Sequence, residues 1–407
     1  MKRCCTAGQN CTMLDIVHEP LRVLTLAEER ELTALAHDRA GSPALRRRRA
    51  QLALQDDDFT EVVDVLDGAN DLAFGEHIML TRAFLALETD AETAKARQRA
   101  DLALEVAESP IQRAAAFADR AKAERRLLQP GAARVSLEAA LEADPHSKDA
   151  CKRLAALDLE QGRAAALIDW CKTLTGSGVG HARLHAARVL GEAVCGDLDA
   201  ARAVEGLSAL SASRILPSPP GWNDLAAFNS ALAVELLSHR NLRYERYGSA
   251  SNYTWRIDAL ARPETPLVRL LLEHLAAHIQ TNVAQLDRCV HGWLADKPDQ
   301  ALLRAWCVIT EGDGFEGWHV HQFGWLSGVY YVQIPDEIAL GKDPGGCLAF
   351  GLPEEFTGIE TSDAYGTTQV RPEPGMMLTF PSHVFHRTYP HFGPGKRICI
   401  AFDVKPF

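Results

Sequence analysis

The chain lacks several features that would make its function easy to guess. No window of apolar residues approaches the length needed to span a bilayer, which excludes a helical membrane protein. No glycine-rich phosphate loop and no Gly-x-Ser-x-Gly elbow occurs, which argues against a nucleotide-driven enzyme and a serine hydrolase of the common type. Positive charge is in deficit: 43 Lys and Arg stand against 54 Asp and Glu, a formal charge of -11, so charge-driven binding to nucleic acid or an anionic membrane is not expected. The ten cysteines include no CxxC pair and sit mostly singly in apolar stretches, a pattern of reduced, buried thiols that points to a cytoplasmic protein. The opening Met1-Lys2-Arg3-Cys4-Cys5 has no apolar core behind its charges and makes a poor secretory signal, and Cys4, Cys5 and Cys11 belong to an expected flexible tail over 1–24.

What is present falls into two textures. From Thr25, which can form a capping box with Glu28, to Ser213 the sequence is rich in Ala, Leu, Arg and Glu, with apolar residues recurring at three- and four-residue intervals. This predicts an all-α domain over 25–213. Residues Ala132 to Ala143 illustrate it, with Val135, Leu137, Ala140 and Leu141 as the apolar stripe and Asp144-Pro145 as the stop. The run Arg46 to Arg49 reads as the wet side of a helix. Pro110 and Pro145 stand 35 apart (145 minus 110), and Gly131, Gly162 and Gly196 are spaced 31 and 34 apart.

A period near 34 built from helix pairs resembles tetratricopeptide repeats over roughly residues 60 to 210, although Ala and Leu replace most of that family's Trp, Leu-Gly and Tyr positions. Such a stack implies a concave face able to hold a peptide or protein partner.

The stretch Leu216-Pro217-Ser218-Pro219-Pro220-Gly221-Trp222 breaks any helix and predicts a linker over 214–222. A second domain, 223–407, opens with helices around Leu225 to His239 and Leu267 to Arg288. It then turns to short runs rich in Val, Ile, Tyr and Phe, best read as strands at Trp325 to Ile334, Gly346 to Gly351, Gly375 to Phe380 and Arg397 to Val404. The expected class is an α+β multidomain protein whose C-terminal part is a barrel or jelly roll backed by helices.

Five of the fifteen histidines lie between His319 and His391. In Trp318-His319-Val320-His321 an extended backbone places both imidazoles on one face, where they could share an ion. His386, just beyond the expected strand ending at Phe380, is the candidate third ligand. Arg397 opens the last strand, an odd choice for packing but a natural one for gripping a carboxylate in a bidentate fork. His383 and His391 flank the site as wall or surface residues, while Trp318, Phe323 and Trp325 either line a mouth or pack the strand ends. His274 and His278 have the spacing of a helical zinc pair but lack the glutamate a zinc protease needs.

His319-x-His321, then Leu326-Ser327-Gly328-Val329-Tyr330-Tyr331-Val332, then Phe380-Pro381 with His386, then Arg397 resemble the 2-oxoglutarate and Fe(II) oxygenase superfamily, in a branch sometimes fused to tetratricopeptide repeats. The resemblance covers about Trp306 to Phe407. It implies a double-stranded β-helix of jelly-roll or cupin type with His319, His321 and His386 on Fe(II). It implies the cosubstrate 2-oxoglutarate with its far carboxylate on Arg397, helped by the hydroxyl of Tyr330 or Tyr331, and O2 as co-reactant. The implied activity is hydroxylation of a C–H bond of a protein, peptide or small molecule, with release of succinate and CO2.

Two departures stand out. Most members carry Asp or Glu where His321 stands, so either His321 ligates or a carboxylate such as Glu316 or Asp313 reaches in. Cys399 occupies a position where many relatives place a serine that helps hold the far carboxylate, and a thiol is the weaker donor. The alternatives are a three-histidine cupin-type dioxygenase that does not use 2-oxoglutarate, and a non-catalytic repeat scaffold with a degenerate barrel.

Overall fold

In the computed structural model, residues 14–245, 247–248, 250–286 and 290–407 are described. Cys4, Cys5, Cys11 and Cys289, and the Arg288 end expected for the second C-terminal helix, lie outside them. Chain order begins with a strand, β1 (Asp15–His18), and then a helical array: α1 (Leu26–Ala40), α2 (Pro43–Gln55), α3 (Phe59–Leu66), α4 (Phe74–Leu87), α5 (Asp90–Glu105), α6 (Pro110–Arg126), α7 (Pro130–Ala143), α8 (Lys148–Glu160), α9 (Ala164–Gly176), α10 (Ala182–Val194) and α11 (Leu198–Glu205). The capping box forms: Glu28 N donates to Thr25 Oγ1 and Thr25 N to Glu28 Oε2.

The helices pack in antiparallel pairs, and the second members of three consecutive pairs open at Pro130, Ala164 and Leu198, 34 residues apart each time (164 minus 130, 198 minus 164). Gly162 and Gly196 make the left-handed turns inside two of these pairs, with φ of +67° and +86°. Gly131, expected to mark the same turn, sits instead in the first turn of α7. Small residues explain the close stacking, since Ala114, Ala118, Ala121, Ala133, Ala140 and Ala150 share one buried cluster with Leu137, Leu154 and Leu157. Val135, expected in the buried stripe, is 62% exposed, because α7 turns Ala133, Ser136, Leu137 and Ala140 inward instead. All four arginines of the Arg46–Arg49 run are held by carboxylates of neighbouring helices.

After a single-turn helix, α12 (Leu207–Leu210), the C-terminal domain is built from β2 (Ala212–Ile215), α13 (Leu225–Leu237), β3 (Leu242–Tyr244), β4 (Ser251–Ile257), α14 (Pro266–Leu286), β5 (Gln300–Glu316), β6 (Leu326–Gln333), β7 (Leu348–Phe350), β8 (Thr368–Val370), β9 (Met376–Pro381), β10 (His386–Thr388) and β11 (Arg397–Pro406), with short helical turns between some strands. The large sheet runs β2-β9-β6-β11-β5-β4-β3, and a small antiparallel sheet runs β10-β7-β8. Helices α13 and α14 cover the outer face of the large sheet in one apolar cluster that includes Phe228, Leu271, Tyr330, Ile400 and Phe402. Its inner face meets the small sheet through Val308, Val329, Tyr331, Phe350, Leu378, Phe380 and Cys399. Two facing sheets with helices behind the larger one make the double-stranded β-helix.

Both ends of the helical part differ from expectation. The segment expected as a flexible tail enters the sheet, with Leu14 buried and β1 pairing in parallel to β5 from Asp15↔Gln300 to His18↔Leu303. The expected linker begins inside β2, which pairs antiparallel to β9 and finishes that edge of the sheet. Short polar strands such as Asp15-Ile16-Val17-His18 carry little pattern by themselves and are recruited by the backbone groups of a longer partner. The two parts also share an apolar cluster: Ala186, Val189, Leu190 and Ala193 of α10 pack with Val320, Leu352, Tyr365 and Phe385. No helix among the described residues is long and apolar enough to cross a membrane.

Candidate metal centre

His386 opens β10, and the His319 segment runs antiparallel beside it, with His319 N donating to His386 O at 3.0 Å and His386 N to His319 O at 3.1 Å. His321 N donates to Ser382 O at 2.9 Å, which continues the extended backbone by two residues. The two-residue period then turns His319 and His321 to the same side, and His386 meets them from the neighbouring strand. One ring nitrogen from each of the three lies within 4.8 Å of the other two.

The hydrogen bonds around the rings decide which nitrogens face inward. His319 Nδ1 stands 2.7 Å from Gly317 O, and His386 Nδ1 stands 2.9 Å from Val384 O. A carbonyl only accepts, so both Nδ1 atoms carry the hydrogen and both Nε2 atoms present a lone pair. Burial keeps these rings neutral, with His319 pushed down to about 3, helped by neighbouring His321, and His386 pushed well below the usual imidazole range by burial and then by His319 and His321. His321 Nδ1 meets Asp403 Oδ1 at 2.5 Å, and its Nε2 lies 3.3 Å from His319 Nε2. Nitrogen lone pairs gathered at that distance repel unless a proton or a cation lies among them, so the donor set fits a metal ion.

The pocket beyond the histidines is lined by Trp306, Val308, Glu316, Tyr331, Phe380 and Arg397, among others. Arg397 is 3% exposed. Its guanidinium lies 5.2 Å from the centroid of the Tyr331 ring, and one terminal nitrogen reaches Cys399 Sγ at 3.8 Å. Neither Arg397 Nε nor the Tyr331 hydroxyl has a hydrogen-bond partner of good geometry, although the two groups lie close enough to influence each other. A buried cation with donors left open is costly unless an anion completes it, and a carboxylate is the natural complement.

Strand alternation separates the two tyrosines. Tyr331 faces the pocket beside Cys399, its partner across the ladder, whereas Tyr330 points to the helical side and donates to Asn229 Oδ1 at 2.8 Å. The expectation that either tyrosine could serve therefore narrows to Tyr331. Glu316 lines the pocket, but its Oε1 accepts from Ser251 Oγ at 2.7 Å, and the carboxyl is raised by burial. Asp313 is exposed. Among the described residues the metal-competent cluster contains only the three histidines.

The other candidates fall into ordinary roles. His383 Nε2 bonds Val204 O and Glu205 O, away from the pocket. His391 Nδ1 accepts from Gly393 N. His274 bonds Pro217 O, and His278 meets Arg214. Trp325 stacks flat on Trp293 at 4.2 Å, Trp318 donates to Glu354, and Phe323 stays exposed. A roomier cleft of about 770 Å³, lined in part by Glu19, Asp56, Arg240, Arg243 and Asp258, holds arginines tied to carboxylates and no convergent ligand set. Sequence reasoning missed Asp403. A signal was there, since Arg397, Cys399, Ala401 and Asp403 alternate with Ile398, Ile400, Phe402 and Val404 along β11, which puts all four on the pocket face.

Residues 304–403 match the family described as "Putative 2OG-Fe(II) oxygenase". That match spans 100 residues (403 minus 304, plus 1) of the 407 and lies wholly within the C-terminal domain. The matched stretch begins in β5, ends at Asp403 and includes all three histidines and Arg397. No curated protein matches the chain. Among solved structures it is similar to a Pseudomonas putida prolyl-4-hydroxylase, at 18% identity over 53% of this chain and 99% of that one with a TM-score of 0.34. It is also similar to a tetratricopeptide repeat protein from Parabacteroides merdae, at 17% identity over 44% of this chain and 71% of that one with a TM-score of 0.35. A third is a Streptomyces hygroscopicus protein with nickel and 2-oxoglutarate bound, at 15% identity over 48% of this chain and 83% of that one with a TM-score of 0.30. Scores this low add no weight to the oxygenase assignment.

Proposed function

We propose that the protein is a 2-oxoglutarate-dependent hydroxylase in which His319, His321 and His386 hold Fe(II), while Arg397, with Tyr331, grips the far carboxylate of 2-oxoglutarate. The observation that carries this is the convergence of three Nε2 lone pairs, two of them locked inward by backbone carbonyls, in the pocket that also contains an incompletely satisfied buried arginine. When bound, the iron and cosubstrate would supply the oxidising chemistry with O2 as the oxidant, one oxygen atom passing to 2-oxoglutarate, which leaves as succinate and CO2, and the other to the substrate, whose C–H bond becomes C–OH.

The chain's own residues then have separable tasks. Three imidazole ligands bring no negative charge to the metal, unlike a set containing a carboxylate, and Asp403 places a negative charge directly behind His321. The Asp403 carboxyl is held below its usual range: burial raises it, but the facing His321 ring and the hydrogen bonds from His321 and Ser327 more than offset that. Val308, Val329, Phe350 and Phe380 form an apolar wall that keeps bulk water from the reacting centre. The Cys399 thiol touches Arg397 and supplies packing there, with at most a weak donor toward the cosubstrate.

The test is succinate release from 2-oxoglutarate with Fe(II). Wild type is expected to turn over, and His386→Ala and Arg397→Ala to lose activity; equal turnover in all three overturns the assignment. One observation favours a second reading, a three-histidine dioxygenase of cupin type with Arg397 on a substrate carboxylate: the third ligand position is an imidazole. Thermal denaturation separates them, because only the first predicts a metal-dependent stabilisation by 2-oxoglutarate.

A further inference from the structure

Five basic residues without ion-pair partners line up across three neighbouring helices. Helices α6, α8 and α10 are the first members of consecutive repeats, and each packs directly on the next. They carry Lys122, Lys152 and Arg183, with Lys148 and Arg153 on α8. Among the described residues none of these five has a carboxylate within ion-pair distance, in contrast to the Arg46–Arg49 run, where each arginine has at least one. The nearby acids are few: Asp119 is held by Arg82, and Asp149 faces Lys152 and Arg183 without forming an ion pair.

The positive side chains sense one another along the face. Lys152 is pushed down to about 8 by partial desolvation, with Arg183 and Arg153 adding to it, and Lys122 is lowered by desolvation and then by Arg153 and Arg126. Cations crowded in this way are stabilised by an anion among them.

The charged face leads to the candidate metal centre. Arg183 Nε donates to Gln322 Oε1 at 3.4 Å, and Gln322 follows His321 directly. Lys148 from α8 and Lys405 from β11 both approach the exposed ring of Phe323, at 5.3 and 5.9 Å. A cleft of about 240 Å³ lies at this junction, lined in part by Lys148, His181, His185, Asp296 and Phe323, with Asp296 taken up by His185.

We propose that the inner face of the helical domain, from Lys122 through Lys152 and Arg183 to the junction at Phe323, binds an acidic segment of a polypeptide substrate and brings a neighbouring residue to the oxygenase pocket. The second half of this statement rests on the hydroxylase reading above; the first half does not. Charge complementarity favours a short acidic segment over a nucleic acid. The five positive charges come as one, three and one from successive helices, and the -11 balance of the whole chain opposes a long polyanion. Packed helices stand about 8–10 Å apart and a polyproline II peptide rises about 3.1 Å per residue with three residues per turn, so acidic residues about three apart would meet successive rungs from one side.

The experiment uses full-length protein without iron or 2-oxoglutarate and reads fluorescence anisotropy of a labelled peptide of about twelve residues with Asp or Glu at every third position. The acidic peptide is expected to bind at least about tenfold tighter than its Asn/Gln counterpart, and to weaken as salt rises. Combined Lys122→Gln and Lys152→Gln is expected to cost about tenfold in affinity, whereas Lys122→Arg with Lys152→Arg retains binding. Equal binding of the two peptides, wild-type affinity in the Gln double variant, loss in the folded Arg double variant, or tighter binding of a single-stranded oligonucleotide of equal charge each overturns the proposal. Succinate release by the wild type is scored separately, so failure of the hydroxylase reading leaves the binding result interpretable.

Discussion

Asp403 Oδ1 stands 2.5 Å from His321 Nδ1 and also accepts from Ser327 Oγ at 2.7 Å, so the ring that departs from the usual carboxylate ligand is backed by a buried carboxylate. This contact orients the His321 ring and keeps its Nε2 toward His319 and His386. Asp403→Asn removes the charge while preserving shape, and metal affinity is expected to fall about 10- to 100-fold. Anaerobic titration with Fe(II) or Co(II) measures it; unchanged affinity would show that Asp403 does not tune the site.

The two adjacent tyrosines give a second, internally controlled prediction. Tyr331→Phe removes a hydroxyl from the Arg397 pocket, and the KM for 2-oxoglutarate is expected to rise about five- to tenfold, the equivalent of about 1 kcal/mol. Tyr330→Phe leaves Asn229 without its donor on the opposite face of the sheet, so it is expected to lower stability by about 1 kcal/mol with no change in KM. Steady-state kinetics and urea unfolding on the same two variants check both halves, and a KM effect at Tyr330 would contradict the strand alternation.

Much of this arrangement was legible from residue pattern. His319-x-His321, His386 and Arg397 could be picked out because their chemistry is costly to bury without a purpose, and β6, β7, β9 and β11 follow short apolar runs set off by Gly and Pro. Less legible were elements whose partners lie far away in the chain. β4 reads Ser-Asn-Tyr-Thr-Trp-Arg-Ile, but its alternation of Tyr253, Trp255 and Ile257 does not match its buried residues, Ser251, Thr254 and Ile257, because its register to β5 shifts, and β5 continues to Glu316 through Gly312 and Gly314, which look like a turn. Gly312 adopts φ +55° inside that strand, and Phe392 N bonds back to its carbonyl at 2.9 Å, a long-range contact that no local pattern encodes. Val135 faces solvent although it is apolar, because its neighbours Ala133 and Ser136 are the residues small enough to lie against the adjacent helices.

Glu205 makes stability depend on pH. It ends α11, buried against Tyr365 at the junction of the two parts, and burial raises its carboxyl from 4.5 to about 7. Below pH 4.5 folded and unfolded chains both hold this proton. As pH rises from 4.5 toward 7 the unfolded chain loses it first, so the folded state binds more protons and stability falls, levelling off above 7. The contribution is on the order of 1–3 kcal/mol. Glu205→Gln is expected to flatten that slope and to melt higher than wild type at pH 8. Thermal melts across pH 4 to 8 compare the two, and parallel pH profiles would rule out this role for Glu205.

Where the chain can be cut follows from strand pairing rather than from composition. The proline-rich stretch around Pro217 to Pro220 invites a cut that leaves 223–407, yet such a fragment loses β2, whose four residues pair with β9 from Ala212↔Thr379 to Ile215↔Met376. Without β2, β9 becomes an open edge next to β6, and an unpaired apolar edge promotes association. A fragment beginning at residue 207 keeps β2 but still lacks β1 and the α10 face that covers Val320, Leu352 and Phe385. The expected order of thermal stability is therefore the full chain, then 207–407, then 223–407, with the last the most prone to aggregate. Circular dichroism melts and size-exclusion profiles establish the order, and a monomeric 223–407 as stable as 207–407 would mean that β2 is not needed to close the sheet.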